Sequence, residues 1–319
     1  MLDRDELAGE ESESAWTAEK AAAFIKHTKL ALGRAGMQVD ELVLPLDRYV
    51  RLGGRLVHYL DWGGAGRPVV FLHGLGLTAH TWNLVCLSLR SAYRCYAIDL
   101  RGHGASEWAA DGDYSLPAYR ADIEAFTAHF GLAQPVIVGM SLGGVLAAEI
   151  AKERDVRALV IVDTGPHVDP RGRRQLAEFL RLPPELDSVE EFVNRAMAFQ
   201  PSRTPELLKT SLLNNLVQLP SGRWRWKYDP RCLDRSFSTA GQRSFRAVWK
   251  TTDRIRCPTL VVRGGRSRVL PREGAEAVVA ALPRGRLVEI EGAGHTVQGD
   301  QPAALADAIR DFLATVWTA

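Results

Sequence analysis

Five short apolar runs, each ending in a glycine-bearing turn, constrain the fold of this chain more than any other feature. They are RPVVFLHG (67–74), RCYAIDLRGHG (94–104), PVIVGMSLGG (135–144), RALVIVDTGP (157–166) and PTLVVRGG (258–265). Runs this short and this uniformly apolar suit strands buried on both faces. Segments of helical composition lie between the earlier ones, at about 78–91, 117–130 and 142–152. Strand and helix in alternation predict a mainly parallel sheet covered by helices on both sides. Ahead of it, ELVLPLDRYVRLGGRLVHYLDWG predicts a hairpin turning at Gly53-Gly54.

The alternation breaks once. From about Pro166 to Arg254 the pattern is mostly helical and aromatic, and RRQLAEFLRL and SVEEFVNRAMAF each have amphipathic spacing. It then resumes with PTLVVRGG, a helix from about Arg272 to Leu282, RLVEIEG and a last helix from about Pro302 to Val316. Residues 41–165 and 255–319 are thus expected to form one core. Residues 166–254 are expected to form a helical cap over the sheet's C-terminal edge, and residues 1–40 an N-terminal arm and helix. Residues 1–14 are acidic and polar and are expected to be disordered. From Trp16 to Arg34, Ala21, Phe24, Ile25, Thr28 and Leu32 fall near one helical face. That face is expected to pack on the main domain, with a homodimer contact or a mobile arm as the other readings.

Composition narrows the function classes. An apolar content of 46% over 319 residues is ample for a large core. A net charge of +2, with no long Lys/Arg run, gives little support to a nucleic-acid or anionic-membrane partner. No segment approaches the roughly 20 apolar residues that span a bilayer, and the N-terminus lacks a secretory pattern. A soluble, cytoplasmic protein acting on a small molecule is expected. Cys86, Cys95, Cys232 and Cys257 form no CxxC pair, and no His cluster has zinc-ligand spacing. Reduced, mostly buried thiols are expected, with no metal and no cofactor.

Three motifs carry chemistry. Gly139-Met140-Ser141-Leu142-Gly143 is a GxSxG between a strand and a helix, the context that forces the serine into a strained, exposed turn. His73-Gly74-Leu75-Gly76 can turn backbone N–H groups toward that serine, so Leu75 and Leu142 are the candidate oxyanion donors. His73 itself is expected to be a structural loop residue. In GAGHTVQGDQP, His295 follows a strand at the same sheet edge and is the candidate base. His103 is its rival but suits a tight structural turn.

HGLG, DLRGHGAS, GMSLGG, IVDTGP and GAGH, in this order, resemble the α/β-hydrolase superfamily over about Leu42–Trp317. Within it the chain is similar to capped bacterial serine hydrolases, which include esterases, lactonases and carbon–carbon bond hydrolases. The resemblance implies Ser141 as nucleophile, His295 as base and Leu75 with Leu142 as oxyanion donors. A serine here argues against epoxide hydrolases and haloalkane dehalogenases, which use Asp as nucleophile.

The acid departs from the pattern. Family members usually carry it after the strand that follows the cap, often as Ser-Asp, and the matching pair here is Ser267-Arg268. An arginine cannot accept the imidazole N–H. Asp163, at the end of RALVIVD, is the first candidate, with the alternative that it merely fixes the TGP turn. Glu273 comes next, although it suits the first turn of its helix, and a Ser–His dyad without an acid is the remaining option. Asp99 is expected to brace the RGHGAS loop. Arg268 is read as a partner for Asp163, as a contact to an acidic or carbonyl group of the substrate, or as a solvated loop residue. Met140, Trp82, Phe199 and Trp249 are candidates for an apolar substrate pocket, or for ordinary core. The function expected is hydrolysis of a medium-sized, largely apolar ester or lactone. Carbon–carbon hydrolysis, incidental peroxidase activity and a ligand-binding protein without turnover are the alternatives.

Overall fold

A computed structural model of the chain describes residues 11–318 apart from 182, 184 and 200–202; the side chains of 199 and 318 are also outside the description. Its strands are β1 (Glu11–Ser14), β2 (Leu46–Leu52), β3 (Arg55–Asp61), β4 (Arg67–Leu72), β5 (Tyr93–Ile98), β6 (Val136–Met140), β7 (Ala158–Val162), β8 (Glu185–Leu186), β9 (Leu216–Gln218), β10 (Trp224–Trp226), β11 (Thr259–Gly264) and β12 (Gly285–Ile290). Nine of them form one sheet in the order β1-β2-β3-β5-β4-β6-β7-β11-β12. The pairs from β5 through β12 are parallel; β1, β2 and β3 add an antiparallel edge. The β2–β3 hairpin turns at Gly53 and Gly54, both with φ near the left-handed region (56° and 82°), as a two-residue turn of this twist requires.

The helices are α1 (Ala18–Ala35), α2 (Asn83–Leu89), α3 (Leu116–His129), α4 (Leu142–Glu153), α5 (Pro170–Leu180), α6 (Val189–Phe199), α7 (Pro205–Asn215), α8 (Arg231–Phe237), α9 (Thr239–Val248), α10 (Arg272–Ala281), α11 (Val297–Asp300) and α12 (Pro302–Thr318). Alternation along the central strands feeds two cores. Val70, Leu72 and Ile137 pack on one face with α3 and α4 residues such as Phe126 and Leu146. Val69, Phe71, Val136 and Val138 pack on the other with α2 and α12 residues such as Val85 and Leu305. Strands buried on both faces explain why each run in the sequence is continuously apolar.

Between β7 and β11 the chain forms α5–α9 and a small three-stranded sheet, β8-β10-β9, which the helical reading of this stretch did not anticipate. Strands of two or three residues leave too few positions for a period of two to register. This segment has its own cluster, with Leu180, Phe192, Leu212 and Trp226 buried.

The N-terminal arm also differs from expectation. Glu11–Ser14 is not disordered but pairs antiparallel with β2, aided by Arg48–Glu13 (3.0 Å). Residues 1–10 of that expectation lie outside the described residues. Helix α1 is capped at both ends: the Thr17 hydroxyl accepts from the Lys20 N–H, and Gly36 (φ 61°) closes the C-terminus. Its buried residues are Phe24, Thr28 and Leu32. Burying a Phe and a Leu contributes about 1.5–3 kcal/mol each, enough to dock the helix. Phe24 lies against Trp16, Trp62 and His80, and Arg34 reaches Thr204 beside α7 (2.9 Å). One helix thus bridges the sheet domain and the β7–β11 segment. No described helix is long and apolar enough to cross a membrane.

A buried charge cluster ties β3 to the loops after β4 and β5. His58 Nδ1 lies 2.6 Å from Asp99 Oδ2, and its Nε2 lies 3.0 Å from Asp47 Oδ1. Asp99 also accepts from the Ala79 and Ala105 N–H groups, so it braces the RGHGAS loop as expected. Burial alone would lower the His58 pKa, but Asp99 and Asp47 outweigh it and hold it up at about 9. The resulting stabilisation is complete below the unfolded value of 6.5 and is lost as pH rises through about 9. Thermal melts are therefore expected to fall between those pH values, and to fall less steeply in His58→Gln. An unchanged slope in that variant would assign the effect to another group.

Candidate active site

The elbow after β6 is built from the glycines around Ser141. Ser141 has φ 51° and ψ −114°, a conformation costing a non-glycine residue on the order of 1–3 kcal/mol. Three close approaches hold it there. A Cβ on Gly139 would lie 2.1 Å from the Gly143 carbonyl oxygen, and one on Gly143 would lie 2.2 Å from the Leu72 carbonyl oxygen. A Cβ on Gly74 would lie 2.6 Å from Met140 Sδ. The Ser141 N–H donates to the Val162 carbonyl (3.0 Å), tying the elbow to the end of β7. Among the described residues the Ser141 hydroxyl has no hydrogen-bond partner, and it opens into a cavity of about 510 Å³.

Leu142 is the first residue of α4, so its N–H has no partner within the helix. The Leu75 N–H, in the loop pressed against the elbow, makes no backbone hydrogen bond among the described residues. His73 is fully buried and structural: its Nε2 accepts from the Leu100 N–H (3.0 Å), which leaves Nδ1 to donate to the Gly74 carbonyl (2.8 Å). Burial lowers its pKa, consistent with a neutral ring. His103 is also fully buried, with its pKa lowered to about 3 chiefly by burial, and its Nδ1 lies 3.0 Å from the Arg101 carbonyl.

His295, in the loop after β12, lines the same cavity as Ser141. Its Nδ1 lies 2.7 Å from Asp163 Oδ2. Asp163 is completely buried and has φ 50°. Its other oxygen accepts from the Gly264 N–H (2.9 Å), and Oδ2 also accepts from the Ser267 hydroxyl (2.5 Å). The Val269 and Leu270 N–H groups in turn donate to Ser267 Oγ (both 3.2 Å). The end of β11 and the loop after it therefore supply donors to a carboxylate that immediately follows the neighbouring strand β7. Glu273 is exposed in the first turn of α10.

Several sequence expectations need correction. Arg268 is exposed, makes no ion pair with Asp163 among the described residues and does not line the cavity. The side chain that meets Asp163 is its neighbour Ser267. Of the apolar candidates, Met140 lines the cavity. Trp82 does not: it is fully buried beneath β4 with its ring 5.3 Å from Phe71. Trp249 packs in the core on the α4 side of the sheet, away from the cavity. Both are large apolar residues at element ends, where composition cannot separate core from pocket. The Phe199 side chain lies outside the described residues. The apolar wall comes instead from Leu176, Phe179 and Leu180 of α5, Leu208 and Leu212 of α7, and α1.

Sequence reasoning also missed a tie on the His295 loop. Arg203 Nε donates to Asp300 Oδ1 (2.6 Å), and Asp300 Oδ2 accepts from the Gly294 N–H (2.8 Å). Both side chains are 8% exposed. Nothing local marks them, because 97 residues separate the pair. Removing one partner leaves a buried charge uncompensated, so Arg203→Met is expected to cost about 3 kcal/mol of stability. Adding Asp300→Asn should recover part of that loss in chemical denaturation. Equal stability of Arg203→Met and wild type would contradict the tie.

Comparison with known proteins fits this geometry. The profile of the alpha/beta hydrolase family matches residues 69–308. The chain is 32% identical over 280 residues to the esterase Rv0045c of Mycobacterium tuberculosis, covering 85% of this chain and 91% of that protein. It is 30% identical over 268 residues to a 3-hydroxybutyrate-oligomer hydrolase of Cupriavidus necator, covering 80% and 92%. The crystal structure of the Mycobacterium tuberculosis esterase superposes with a TM-score of 0.73 at 29% identity, over 92% of this chain and 98% of that one. Fold, motif order and relatives agree, and the chain is a member of the alpha/beta hydrolase family.

Proposed function

We propose that the protein is a serine ester hydrolase working through Ser141, His295 and Asp163. The observation that carries the reading is the 2.7 Å contact from His295 to buried Asp163, at the cavity edge where strained Ser141 opens. A serine hydroxyl becomes an effective nucleophile when a base takes its proton. His295 Nε2 is left for that task, because Asp163 engages Nδ1 and fixes the tautomer. Asp163, held by Gly264 and Ser267, stabilises the imidazolium formed during attack. The Leu75 and Leu142 N–H groups receive the developing oxyanion. His295 then protonates the leaving alcohol, and a water releases the acyl group from Ser141 by the reverse proton path. Contacts between base and nucleophile commonly tighten only when substrate is bound.

The cavity favours a medium-sized ester. Its volume of about 510 Å³ falls in the range of small-molecule sites. Leucines of α5 and α7 and Phe179 offer an apolar wall for an acyl or aryl group, with residues 166–254 acting as a cap that excludes polymers. Similarity to an esterase and to a 3-hydroxybutyrate-oligomer hydrolase supports a carboxylic ester as the bond cleaved.

A panel of aryl esters and lactones, assayed with wild type and Ser141→Ala side by side, tests the reading. Turnover is expected in wild type and absent in Ser141→Ala. Asp163→Asn is expected to lower kcat by about 10⁴-fold, the effect of leaving the base in the wrong tautomer. Glu273→Gln and Arg268→Ala should stay within about twofold, since surface changes away from the site act weakly. Near-normal kcat in folded Asp163→Asn would remove Asp163 from the mechanism.

A further inference from the structure

The proposed active-site cavity contains two ammonium groups that the ester chemistry does not use. Lys227 follows β10, and Lys20 lies in the first turn of α1. Both line the same cavity as Ser141 and His295. The Lys227 backbone is fixed on both sides: its N–H donates to the Asn215 carbonyl (2.8 Å), and its carbonyl accepts from the Gly104 N–H (2.7 Å). The side chain therefore has a set origin. It is half-buried, and among the described residues its ammonium makes no hydrogen bond and no ion pair within 4.0 Å. Burial lowers its pKa, and Lys20 is near enough to repel it.

Neighbouring carboxylates do not supply the missing partner. Asp47 and Asp99 attract Lys227 at longer range, but both are engaged by His58. Asp99 is further engaged by two backbone N–H groups. With His58 charged, the group holds three cations, Lys20, Lys227 and His58, against two carboxylates. His80, also on the cavity wall, is kept neutral at pH 7 by burial and by Lys227, its pKa lowered to about 4. Holding a half-buried cation without a partner costs stability. An anion entering from the cavity would pair with Lys227 and relieve its repulsion from Lys20.

We propose that Lys227 and Lys20 form a carboxylate-binding subsite, so that the preferred substrates are esters bearing a free carboxylate remote from the scissile bond. This rests on the cavity being the substrate site of the proposed esterase, and it goes further by naming the charge class of the substrate. The apolar wall of the same cavity then holds the connecting chain. It also gives α1 a role beyond packing, because the N-terminal helix carries one of the two charges.

The test compares mono-4-nitrophenyl esters of succinate, glutarate, adipate and suberate with neutral 4-nitrophenyl alkanoates of matched length. For at least one chain length, wild type is expected to favour the anionic ester in kcat/KM. Lys227→Met should lower that anionic-to-neutral ratio about tenfold, the strength of one charge-assisted contact, mainly through KM. Lys20→Met, on an exposed helix position, should lower it by a smaller factor, and Lys227→Arg should preserve most of it. The same hemi-esters titrated into Ser141→Ala by calorimetry read the subsite without turnover. Binding that weakens when Lys227→Met is added supports the subsite even if no ester is hydrolysed. No preference for an anionic ester at any length, or a ratio unchanged in Lys227→Met, would overturn it.

Discussion

Everything at this site depends on one buried carboxylate. Asp163 is cut off from solvent, sits in a backbone conformation unusual for a side-chain-bearing residue, and accepts from Gly264, Ser267 and His295. A buried carboxylate is tolerable only when its lone pairs are filled, and these donors come from the end of β11, the loop after it and the loop after β12. Parallel order β6-β7-β11-β12 brings those ends to one edge. Register on the sheet therefore positions Ser141, Asp163, Ser267 and His295 together, although 154 residues separate the first from the last.

Much of this was legible in the chain. Short apolar runs ending in glycine turns mark strands buried on both faces, and the glycines at 139 and 143 are required by sub-van-der-Waals approaches that only a missing Cβ permits. Asp163 could be named because it ends a strand adjacent to the one before Ser141. Arg268 drew attention for the opposite reason: it occupies the place where a carboxylate is expected. The structure turns it outward and gives the contact to Ser267. A serine in a loop carries no sequence signal for that role, since its hydroxyl serves turns as often as side chains.

Other features depend on contacts across long chain separations, which periodicity does not encode. The amphipathic pattern of α1 predicts a helix with a face to bury but not the surface that receives it. In the fold that surface is the cavity wall between the sheet domain and α7. Trp82 and Trp249 show the converse, since an aromatic residue near a site motif serves the core as readily as the pocket. The Arg203–Asp300 pair joins the β7–β11 segment to the His295 loop. That segment is thereby linked mechanically to the proposed base, a coupling visible only after folding.

The account stands on the hydrogen bond between His295 Nδ1–H and Asp163. Proton NMR of the purified protein reads it directly, since a hydrogen bond this short to a buried carboxylate shifts the imidazole proton far downfield of the amide envelope. The His58–Asp99 pair gives a second such resonance, identified by its loss in His58→Gln. The His295 resonance is expected in wild type, Glu273→Gln and His58→Gln, and it should vanish in Asp163→Asn and in His295→Ala. A His295 resonance that persists in folded Asp163→Asn would show that another group holds the imidazole.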